Sequence, residues 1–445
     1  MDFPSKKNFI KQPQLVLCMT NITVVGLGYV GLPLACLCAE KGHKVYGLDV
    51  DRNKVEVINK GISPIEDEQI SDKLKNPKNK VYATTNADEC ISNSEVIIVC
   101  VPTPTDKNNS PDLTALMESA STVSKFIKKN TLLIIESTIY PGTIEEIVIP
   151  ILKKQKFDAY KNDILVAHCP ERIDPGNKKW TIENLPRGVG GVTKESAKKA
   201  AEFYRSIINA DVIELSSVKA AEATKIMENT FRDVNIAFVN EMAQSFDKAG
   251  IDIMEVIKCA STKPFAFMPH YPGAGVGGHC IPVDPYYLIE KAKQIGFNHR
   301  FLSLAREINK NMPHYTIELL ENQLQKLKKS IKGAKVGVLG LAYKANVDDI
   351  RESPAFEIIN ILKSKGADVF VFDPHVKKES NVKDLDELLN KSDYVILVTY
   401  HNEFKNMDLT KLKKYKILVV IDGRNCLDKE KLKSMGILYH GIGRS

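Results

Sequence analysis

The sequence lacks most signals of a membrane, nucleic-acid or zinc-binding protein. Its 445 residues contain no apolar run of bilayer length, and the first 20 hold only the short run LVLCM, well below a signal-peptide core. The nine cysteines form no CxxC pair and mostly lie in apolar runs, as small core residues of a reducing cytosol do. A net charge of +7 is modest and favours an anionic small substrate over nucleic acid. We therefore expect a cytoplasmic protein of two or three domains.

The chain does contain one pattern twice. Residues 21–51 alternate an apolar strand, a glycine turn, a helix, a glycine stop and a second strand that ends in Asp49. Residues 334–374 repeat this order, with Gly366 as the stop and Asp373 as the acid. Continuous apolar strands that alternate with helices are typical of parallel sheets covered on both faces. The sequence therefore predicts an α/β fold with two Rossmann-type domains.

A long helix is predicted between these halves, over residues 216–250. Its pattern exceeds 30 residues, which is longer than a typical globular helix. We expect it to connect the domains and to pack against a second copy of the chain. Its apolar residues are Ile226, Phe231, Val234, Phe238, Met242 and Phe246. Further helices are expected between about 251 and 325, interrupted by a glycine- and proline-rich loop.

The first glycine turn has the pattern of a dinucleotide site. Gly26, Gly28 and Gly31 follow a strand and open a helix, so that the backbone can approach a pyrophosphate at the helix N-terminus. Asp49 ends the next strand, 18 residues after Gly31, where a carboxylate binds ribose hydroxyls and repels a 2′-phosphate. NAD is therefore favoured over NADP. Lys54 is a further candidate for a phosphate or ribose contact, with a solvated lysine as the alternative.

The second glycine turn has lost this pattern. Gly337 and Gly340 lead into Tyr343-Lys344 and then into the segment DDIRESPA, which contains Arg351. Two interpretations stay open: a site for another anion, such as a nucleotide diphosphate, or a structural duplicate without a ligand.

The segment GVGGHCIPVDPYYL, residues 275–288, surrounds Cys280 with features that suit a nucleophile. The preceding glycines admit a substrate, and Asp284 is placed to hold water or act as a base. Lys225 and Asn229 lie one turn apart on the long helix, where a cation and an amide donor suit a developing oxyanion. A structural cysteine or a metal ligand beside His279 are the alternatives, and the dipeptide lacks the other ligands of a zinc site.

Several blocks together resemble one family. They are GLGYVG at 26–31, TPT at 103–105, ESTIYPGT at 136–143, CPERIDPGN at 169–177, the segment 219–241, the cysteine segment and AYKANVDDIRESPA at 342–355. In this order they resemble the nucleotide-sugar 6-dehydrogenases, the UDP-glucose/GDP-mannose dehydrogenase family, from about residue 21 to the C-terminus. CPERIDPGN and TKPFAF resemble most the UDP-N-acetylglucosamine 6-dehydrogenases of surface-polysaccharide pathways. Pro175 stands where UDP-glucose enzymes place a second glutamate, which disfavours UDP-glucose.

The resemblance implies a mechanism. Cys280 would capture a C6 aldehyde as a thiohemiacetal, a second oxidation by NAD would give a thioester, and water would release the carboxylate. Lys225 and Asn229 would stabilise the oxyanion, and Asp284 and Thr138 would position water or move protons, with Glu171 at the sugar. The implied cofactor contacts are Gly26, Gly28, Tyr29, Val30, Gly31, Asp49, Lys54, Thr103, Thr138 and Arg351. The implied substrate contacts are Glu171, Arg172, Lys225, Asn229, Tyr271, Gly277, Lys344 and Arg424.

The resemblance also implies an organisation and leaves named alternatives. We expect an N-terminal extension at 1–20, an NAD-binding domain at 21–215, a central helical domain at 216–325 and a UDP-binding domain at 326–445. A homodimer or a dimer of dimers is expected, without a metal, nucleic acid or membrane partner. UDP-N-acetylmannosamine and UDP-glucose are the alternative substrates. A two-electron hydroxyacid dehydrogenase would have no use for Cys280, and a non-catalytic NAD-binding protein would have lost the reactive residues.

Overall fold

The computed structural model describes residues 19–65, 68–76, 79–106, 110–173 and 179–445. The chain divides into two compact units, the first ending at Met227 and the second beginning at Glu228. Most of the expected extension at 1–20, and Pro175, lie outside the described residues. The domain boundaries expected at 215/216 and 325/326 stay predictions.

The first unit contains an eight-stranded sheet among its described residues, in the order β3-β2-β1-β4-β5-β6-β7-β8. Its strands are β1 Asn21–Val25, β2 Lys44–Leu48, β3 Val81–Thr84, β4 Val96–Val99, β5 Leu132–Ile135, β6 Leu165–His168, β7 Arg187–Gly191 and β8 Val212–Glu214. All neighbours pair in parallel except β6 and β7, which are antiparallel. The predicted parallel Rossmann sheet is confirmed, and its order reverses between β1 and β4, where such sheets bind ligands.

Helices cover this sheet because its central strands are apolar on both faces. All four residues of β4 and all four of β5 are buried. The helices are α1 Gly31–Glu40, α2 Arg52–Asn59, α3 Glu68–Lys75, α4 Ala87–Ile91, α5 Thr114–Phe126, a π-helical turn Ile144–Val148 continuing into α6 Ile149–Lys154, a 3-10 turn Ala159–Lys161, and α7 Lys194–Ile207. Capping residues begin several of them; the Asp51 side chain, for example, accepts the N–H groups of Asn53 and Lys54 at the start of α2.

Three helices follow the long connecting helix, in the region where the sequence predicted helical segments. The long helix is α8 Val218–Lys248, and it is followed by α9 Ile253–Ala260, α10 Asp284–Gln294 and α11 Arg300–Lys326. The glycine- and proline-rich segment 261–283, which carries Cys280, lies between α9 and α10. The predicted helix at 216–250 is thus confirmed to within two residues at each end.

The second unit ends in a five-stranded parallel sheet, in the order β10-β9-β11-β12-β13. Its elements are β9 Lys335–Leu339, α12 Pro354–Ser364, β10 Asp368–Phe372, α13 Leu385–Lys391, β11 Tyr394–Leu397, α14 Asn402–Lys405, α15 Thr410–Lys414, β12 Val419–Asp422, α16 Lys429–Ser434 and β13 Leu438–Gly441. The strand order reverses between β9 and β11, so the carboxyl ends of these two strands form a second ligand-binding edge.

The long helix α8 has an unusual distribution of side chains. Its buried face carries, besides apolar residues, a stripe of polar residues that are spaced by three, four or seven positions. This inner stripe consists of Glu222, Lys225, Asn229, Asp233 and Asn240, each with at most 9% of its surface exposed. On the opposite side Met227, Phe231 and Phe238 are 64%, 44% and 58% exposed. The apolar residues predicted for this helix are therefore divided, because Ile226 is fully buried while Phe231 and Phe238 face outward.

No helix among the described residues combines the length and the apolar character needed to cross a bilayer.

Candidate active site

The first glycine turn has the shape that a dinucleotide requires. Gly26 has a φ of +91°, and a Cβ there would lie 2.8 Å from the carbonyl oxygen of Cys100. A Cβ at Gly31 would lie 1.9 Å from the carbonyl oxygen of Gly26, so neither position accepts a side chain. At Gly28, in contrast, no described atom lies within 4 Å of the place a Cβ would take. That open space, with the N-terminus of α1 at Gly31, fits a pyrophosphate.

Asp49 lies at the end of β2 beside this turn, where the sequence predicted it. Its carboxylate accepts the N–H of Leu27 at 2.8 Å and the N–H of Asp51 at 3.0 Å. The Lys54 ammonium lies 3.0 Å from the same carboxylate. Burial alone would raise the pKa of Asp49, but these N–H groups and Lys54 lower it below its ordinary value. The acid is therefore held ionised, and Lys54 belongs to the same corner of the unit.

Two threonines of the predicted site meet at the carboxyl edge of the sheet. The Thr103 hydroxyl donates to the carbonyl oxygen of Thr138 at 2.6 Å, which joins the loops that follow β4 and β5. Ser137 supports the same junction by donating to the carbonyl oxygen of Val101 at 2.7 Å. Tyr29 is 43% exposed at the glycine turn, and Val30 is half-buried. The structure thus brings the predicted cofactor residues of the first unit to one edge.

Glu171 lies in a buried charged cluster. One oxygen accepts the N–H groups of Arg172 and Ile173 at 2.6 and 2.7 Å. The other lies 2.7 Å from the guanidinium of Arg187, as an ion pair without hydrogen-bond alignment. Arg187 is fully buried and also lies 3.4 Å from Glu136. The Glu171 carboxylate is therefore fixed in place on both oxygens.

Sequence reasoning missed Arg187 and Glu136. Tyr204 donates to Glu136, and burial raises the pKa of Glu136 above its ordinary value, against the attraction of Arg187. The sequence did contain a signal, because each of these charged residues adjoins a buried strand: Glu136 directly follows β5, and Arg187 begins β7. Arg172, predicted at the substrate, donates to the carbonyl oxygen of Pro186 at 2.8 Å.

Cys280 lies just before α10, and its carbonyl oxygen accepts the N–H groups of Val283 and Asp284 at 3.1 and 2.8 Å. The Cys280 residue is half-buried and its thiol is not part of a disulfide. Asp284 begins α10, is 2% exposed and accepts the Asn229 amide N–H at 2.6 Å. Lys225 lies one turn earlier on α8 and is 9% exposed. The predicted Asn229, Cys280 and Asp284 are thus brought together in the second unit.

The cysteine loop, residues 271–283, packs on the C-terminal sheet through its glycines. A Cβ at Gly277 would lie 2.6 Å from the Tyr343 Cβ, and Gly278 donates its N–H to the carbonyl oxygen of Arg351 at 2.9 Å. At the other end of the loop, Ala274 donates to the carbonyl oxygen of Gly423 at 3.1 Å. The loop therefore meets the carboxyl edge of the second sheet, where the strand order reverses between β9 and β11.

The basic residues predicted for an anion lie at this edge. The Arg424 Nε donates to the carbonyl oxygen of Val398 at 2.8 Å, and Arg351 pairs with Asp349 through two nitrogens at 2.5 to 3.1 Å. Lys344 is half-buried directly after Tyr343. Tyr271 is 58% exposed at the start of the loop. Arg351, predicted to contact the cofactor, belongs to the second unit, and its role stays a prediction.

A group of potential metal ligands, His375, His401 and Glu403, also occurs among the described residues. The Nδ1 of His401 accepts the N–H of Asn346 at 2.9 Å, so the proton of this imidazole is on Nε2, which lies 2.9 Å from Asp373. Both nitrogens of the buried histidine are thus occupied, and the arrangement supports Asp373 through a hydrogen bond rather than forming a metal site.

Comparison with known proteins gives consistent results along the chain. Residues 20–208, 219–311 and 337–429 match, respectively, the NAD binding, central and UDP binding domains of the UDP-glucose/GDP-mannose dehydrogenase family. Protein CapL of Staphylococcus aureus is 42% identical over 363 residues, which cover 82% of this chain and 84% of CapL. The UDP-N-acetyl-D-glucosamine 6-dehydrogenase of Pseudomonas aeruginosa is 37% identical over 420 residues, 92% of this chain and 98% of that protein. The structure of the UDP-D-ManNAc dehydrogenase from Pyrococcus horikoshii superimposes with a TM-score of 0.89 at 36% identity, over 95% of this chain and 99% of that one.

Proposed function

Because the chain belongs to the UDP-glucose/GDP-mannose dehydrogenase family, we propose that it oxidises the C6 hydroxyl of a UDP-sugar to a carboxylate through a covalent step on Cys280. The observation that carries this proposal is that Asp284, at the start of α10, donates its N–H to the Cys280 carbonyl oxygen and accepts the amide of Asn229 from α8. A nucleophile, a carboxylate and an amide donor at one helix N-terminus are what acyl chemistry on a thiol requires. A structural cysteine would need none of these neighbours.

The first unit fits the cofactor that the family uses. The open space at Gly28 and the ionised carboxylate of Asp49 match a pyrophosphate and a ribose. NAD, when bound, supplies the hydride acceptor for both oxidations. Asp49 favours NAD over NADP because a 2′-phosphate would meet like charge. Thr103, Thr138 and Lys54 are the proposed additional contacts.

Cys280 acts on the aldehyde produced by the first oxidation. Its thiolate adds to the C6 carbonyl carbon, and the carbonyl oxygen takes the electron pair and becomes the oxyanion of a thiohemiacetal. The Asn229 amide and the Lys225 ammonium stabilise that oxyanion. Loss of a second hydride from C6 leaves a thioester, and attack by water breaks the C–S bond, releasing the carboxylate and the thiol. Asp284 accepts the proton of the attacking water.

Two residues of the first unit are proposed, from the family resemblance, for the sugar and for proton movement. Glu171, held on both oxygens by Arg187 and two backbone N–H groups, is a rigid carboxylate suited to orienting the sugar or a water. The Thr138 carbonyl oxygen accepts the Thr103 hydroxyl, which holds the backbone of Thr138 at the edge of the sheet. A carboxylate that does not need to reorganise contributes most to positioning a reactant.

The substrate proposed is UDP-N-acetylglucosamine, with its C2 epimer UDP-N-acetylmannosamine as the second candidate. The block CPERIDPGN and the 37% identical Pseudomonas aeruginosa enzyme support the first. The 36% identical Pyrococcus horikoshii structure supports the second. Lys344 and Arg424 are proposed to bind the diphosphate at the carboxyl edge of the second sheet, beside Tyr271.

The experiment is an end-point assay with limiting UDP-sugar and excess NAD, across a panel that includes both epimers and UDP-glucose. The proposal expects about two NADH per sugar without accumulated aldehyde, because each carbon oxidation removes one hydride. Cys280→Ala should still bind UDP and NAD while losing the overall reaction. Two NADH per sugar from the alanine variant would remove Cys280 from the mechanism, and higher efficiency with UDP-N-acetylmannosamine would select the second candidate.

A homodimer, or a dimer of dimers, is proposed as the assembly. Met227, Phe231 and Phe238 project from α8 with 44% to 64% of their surface exposed, at helical spacing on one side. A stripe of large exposed apolar side chains marks a protein interface. Light scattering that shows only a single chain at micromolar concentration would contradict this assembly.

A further inference from the structure

A buried polar network joins α11 to the inner stripe of α8. Arg306 lies 2.5 Å from the Asp233 carboxylate. The Asn309 amide donates to the same carboxylate at 2.8 Å and to the Asp233 carbonyl oxygen at 2.9 Å. Asn240 in turn donates to the Asn309 side-chain oxygen at 2.9 Å. Asp233, Asn240 and Asn309 are at most 2% exposed and Arg306 is 7% exposed, so water contributes little to these contacts.

The chemistry of Asp233 fixes the direction of every amide in this network. Its carboxylate and carbonyl oxygens can only accept from Asn309, so the Asn309 nitrogen must face Asp233. The Asn309 oxygen then faces Asn240, and the nitrogen of Asn240 must point toward it. The side-chain oxygen of Asn240 is left facing the N–H of Gly273, which it accepts at 3.0 Å. A buried asparagine is needed here because it accepts and donates at the same time.

Gly273 is the point where the cysteine loop meets the second sheet. A Cβ at Gly273 would lie 2.7 Å from the Arg424 Nη1, so the backbone of the loop lies directly against this guanidinium. The next residue, Ala274, donates to the carbonyl oxygen of Gly423, the neighbour of Arg424. The position of Gly273 therefore limits where the Arg424 guanidinium lies.

We propose that Asn240 is a positioning residue for the UDP half of the substrate, which acts by holding Gly273 against Arg424. Asp233 and Asn309 set the orientation of its amide. This inference rests on the proposed function, and it assigns the network to affinity for the nucleotide rather than to the chemistry on Cys280. A small displacement of a binding group weakens binding that is common to the ground and transition states, which raises KM and leaves kcat.

The test is Asn240→Leu, which nearly keeps the size and removes both hydrogen bonds. We expect the KM for the UDP-sugar and the Kd for UDP alone, measured by calorimetry, to rise about tenfold. The KM for NAD and the kcat should stay within about twofold. The matched control is Tyr315→Phe, which removes another buried hydrogen bond between α11 and α8, at 3.0 Å to Asp247, without a link to the loop. The control should leave both KM values unchanged.

A folded Asn240→Leu protein with an unchanged UDP affinity would overturn the inference, as would an equal rise in the KM for NAD and for the UDP-sugar. If Asn240→Leu does not fold, Asn240→Ser is measured in its place, because its shorter hydroxyl does not reach both partners, and the same difference between the two KM values is required. The proposed function fails separately: in that case the unmodified protein would produce no NADH from any UDP-sugar.

Discussion

The two Rossmann halves share one frame at their glycine turns. Gly26 and Gly340 have φ values of +91° and +93°. Each donates its N–H to the last residue of the second strand, at 2.8 Å to Leu48 and at 3.0 Å to Phe372. The following N–H in each half, that of Leu27 or Leu341, donates to the acid after that strand. To this point the sequence repeat is a structural repeat.

The halves diverge two residues after the first glycine. Gly28 leaves an open space, whereas its counterpart Ala342 is buried and donates its N–H to Asp373 at 2.9 Å. The helix also differs: α1 begins at Gly31, directly at the turn, but α12 begins only at Pro354. The first half therefore presents backbone N–H groups and a helix N-terminus at its turn, whereas the anion site proposed for the second half consists of basic side chains around its turn.

The two acids show what this difference means. Asp373 accepts four backbone N–H groups and lies beside His401, with no exposed surface. Asp49 accepts two and is paired with the partly exposed Lys54. The same residue type at the same place in the frame is a structural brace in one half and a candidate ribose ligand in the other. A repeated motif thus predicts the backbone more safely than the ligand.

A substitution that distorts the first glycine turn should give the largest effect, a loss of NAD affinity. Gly31→Ala places a Cβ 1.9 Å from the Gly26 carbonyl oxygen, so the turn must move. We expect NAD affinity to fall on the order of 1,000-fold, because the phosphate-binding backbone is displaced. Calorimetry measures NAD and UDP in turn, and unchanged UDP binding shows that the second unit is intact. Nearly normal NAD binding would contradict the assignment of this turn.

Substitution of Asp373 should mainly lower the stability of the fold. Asp373→Asn loses one acceptor oxygen of a buried carboxylate, and we expect the free energy of unfolding to fall by about 3 kcal/mol. Urea unfolding followed by circular dichroism measures this, with Asp368→Asn as the control, because Asp368 is an exposed acid at the start of β10, the strand that Asp373 follows. The KM for NAD should not change. A marked rise in the KM for NAD with little loss of unfolding free energy would mean that the second turn also binds a cofactor.

The pH dependence of stability should show whether Asp373 is ionised in the folded protein. Burial alone would raise the pKa of Asp373, but His401 and the N–H groups of Ala342 and Leu341 lower it to about 2. A depressed pKa stabilises the fold above the unfolded-state value of about 4, and this stabilisation is lost as pH falls toward 2. The difference in stability between the unmodified protein and Asp373→Asn should shrink by about 2 kcal/mol over this window. If the stability difference between the two proteins stayed constant from pH 5 to 2, Asp373 would not be ionised in the folded protein.

Asp49 should give the smallest and most selective effect. Asp49→Asn removes the charge that a 2′-phosphate would meet, and we expect the KM for NAD to rise about tenfold while the preference over NADP narrows by a similar factor. Initial rates with both cofactors measure this, and Asp373→Asn is the matched control in the other half. If the preference for NAD over NADP were the same before and after the change, Asp49 would not contact the ribose.

The local parts of the site were predictable from the sequence. The glycine turn, Asp49 and the length of α8 follow from residues close together in the chain, where spacing carries the information. The family match confirms the NAD-binding domain and the α/β fold. The roles of Cys280, Lys225, Glu171 and the other site residues stay predictions.

Long-range contacts were not predictable. Arg187 meets Glu136 across 51 positions, and Asn240 meets Asn309 across 69, so no local pattern signals either pair. The buried polar stripe of α8 could not be predicted from the sequence either. Burial of polar residues there depends on partners from α11 and the cysteine loop. Helical periodicity indicates that two faces differ, but the tertiary packing decides which one lies inside.

The exposed apolar side chains of α8 have a consequence for how the protein responds to dilution. Met227, Phe231 and Phe238 already face outward in a single folded chain, on the side of the helix opposite its buried polar stripe. Pairing with another copy through these side chains would link folding to association by mass action, so that thermal stability depends on how much protein is present. The melting temperature should then rise with protein concentration, and Phe238→Ser should abolish that dependence.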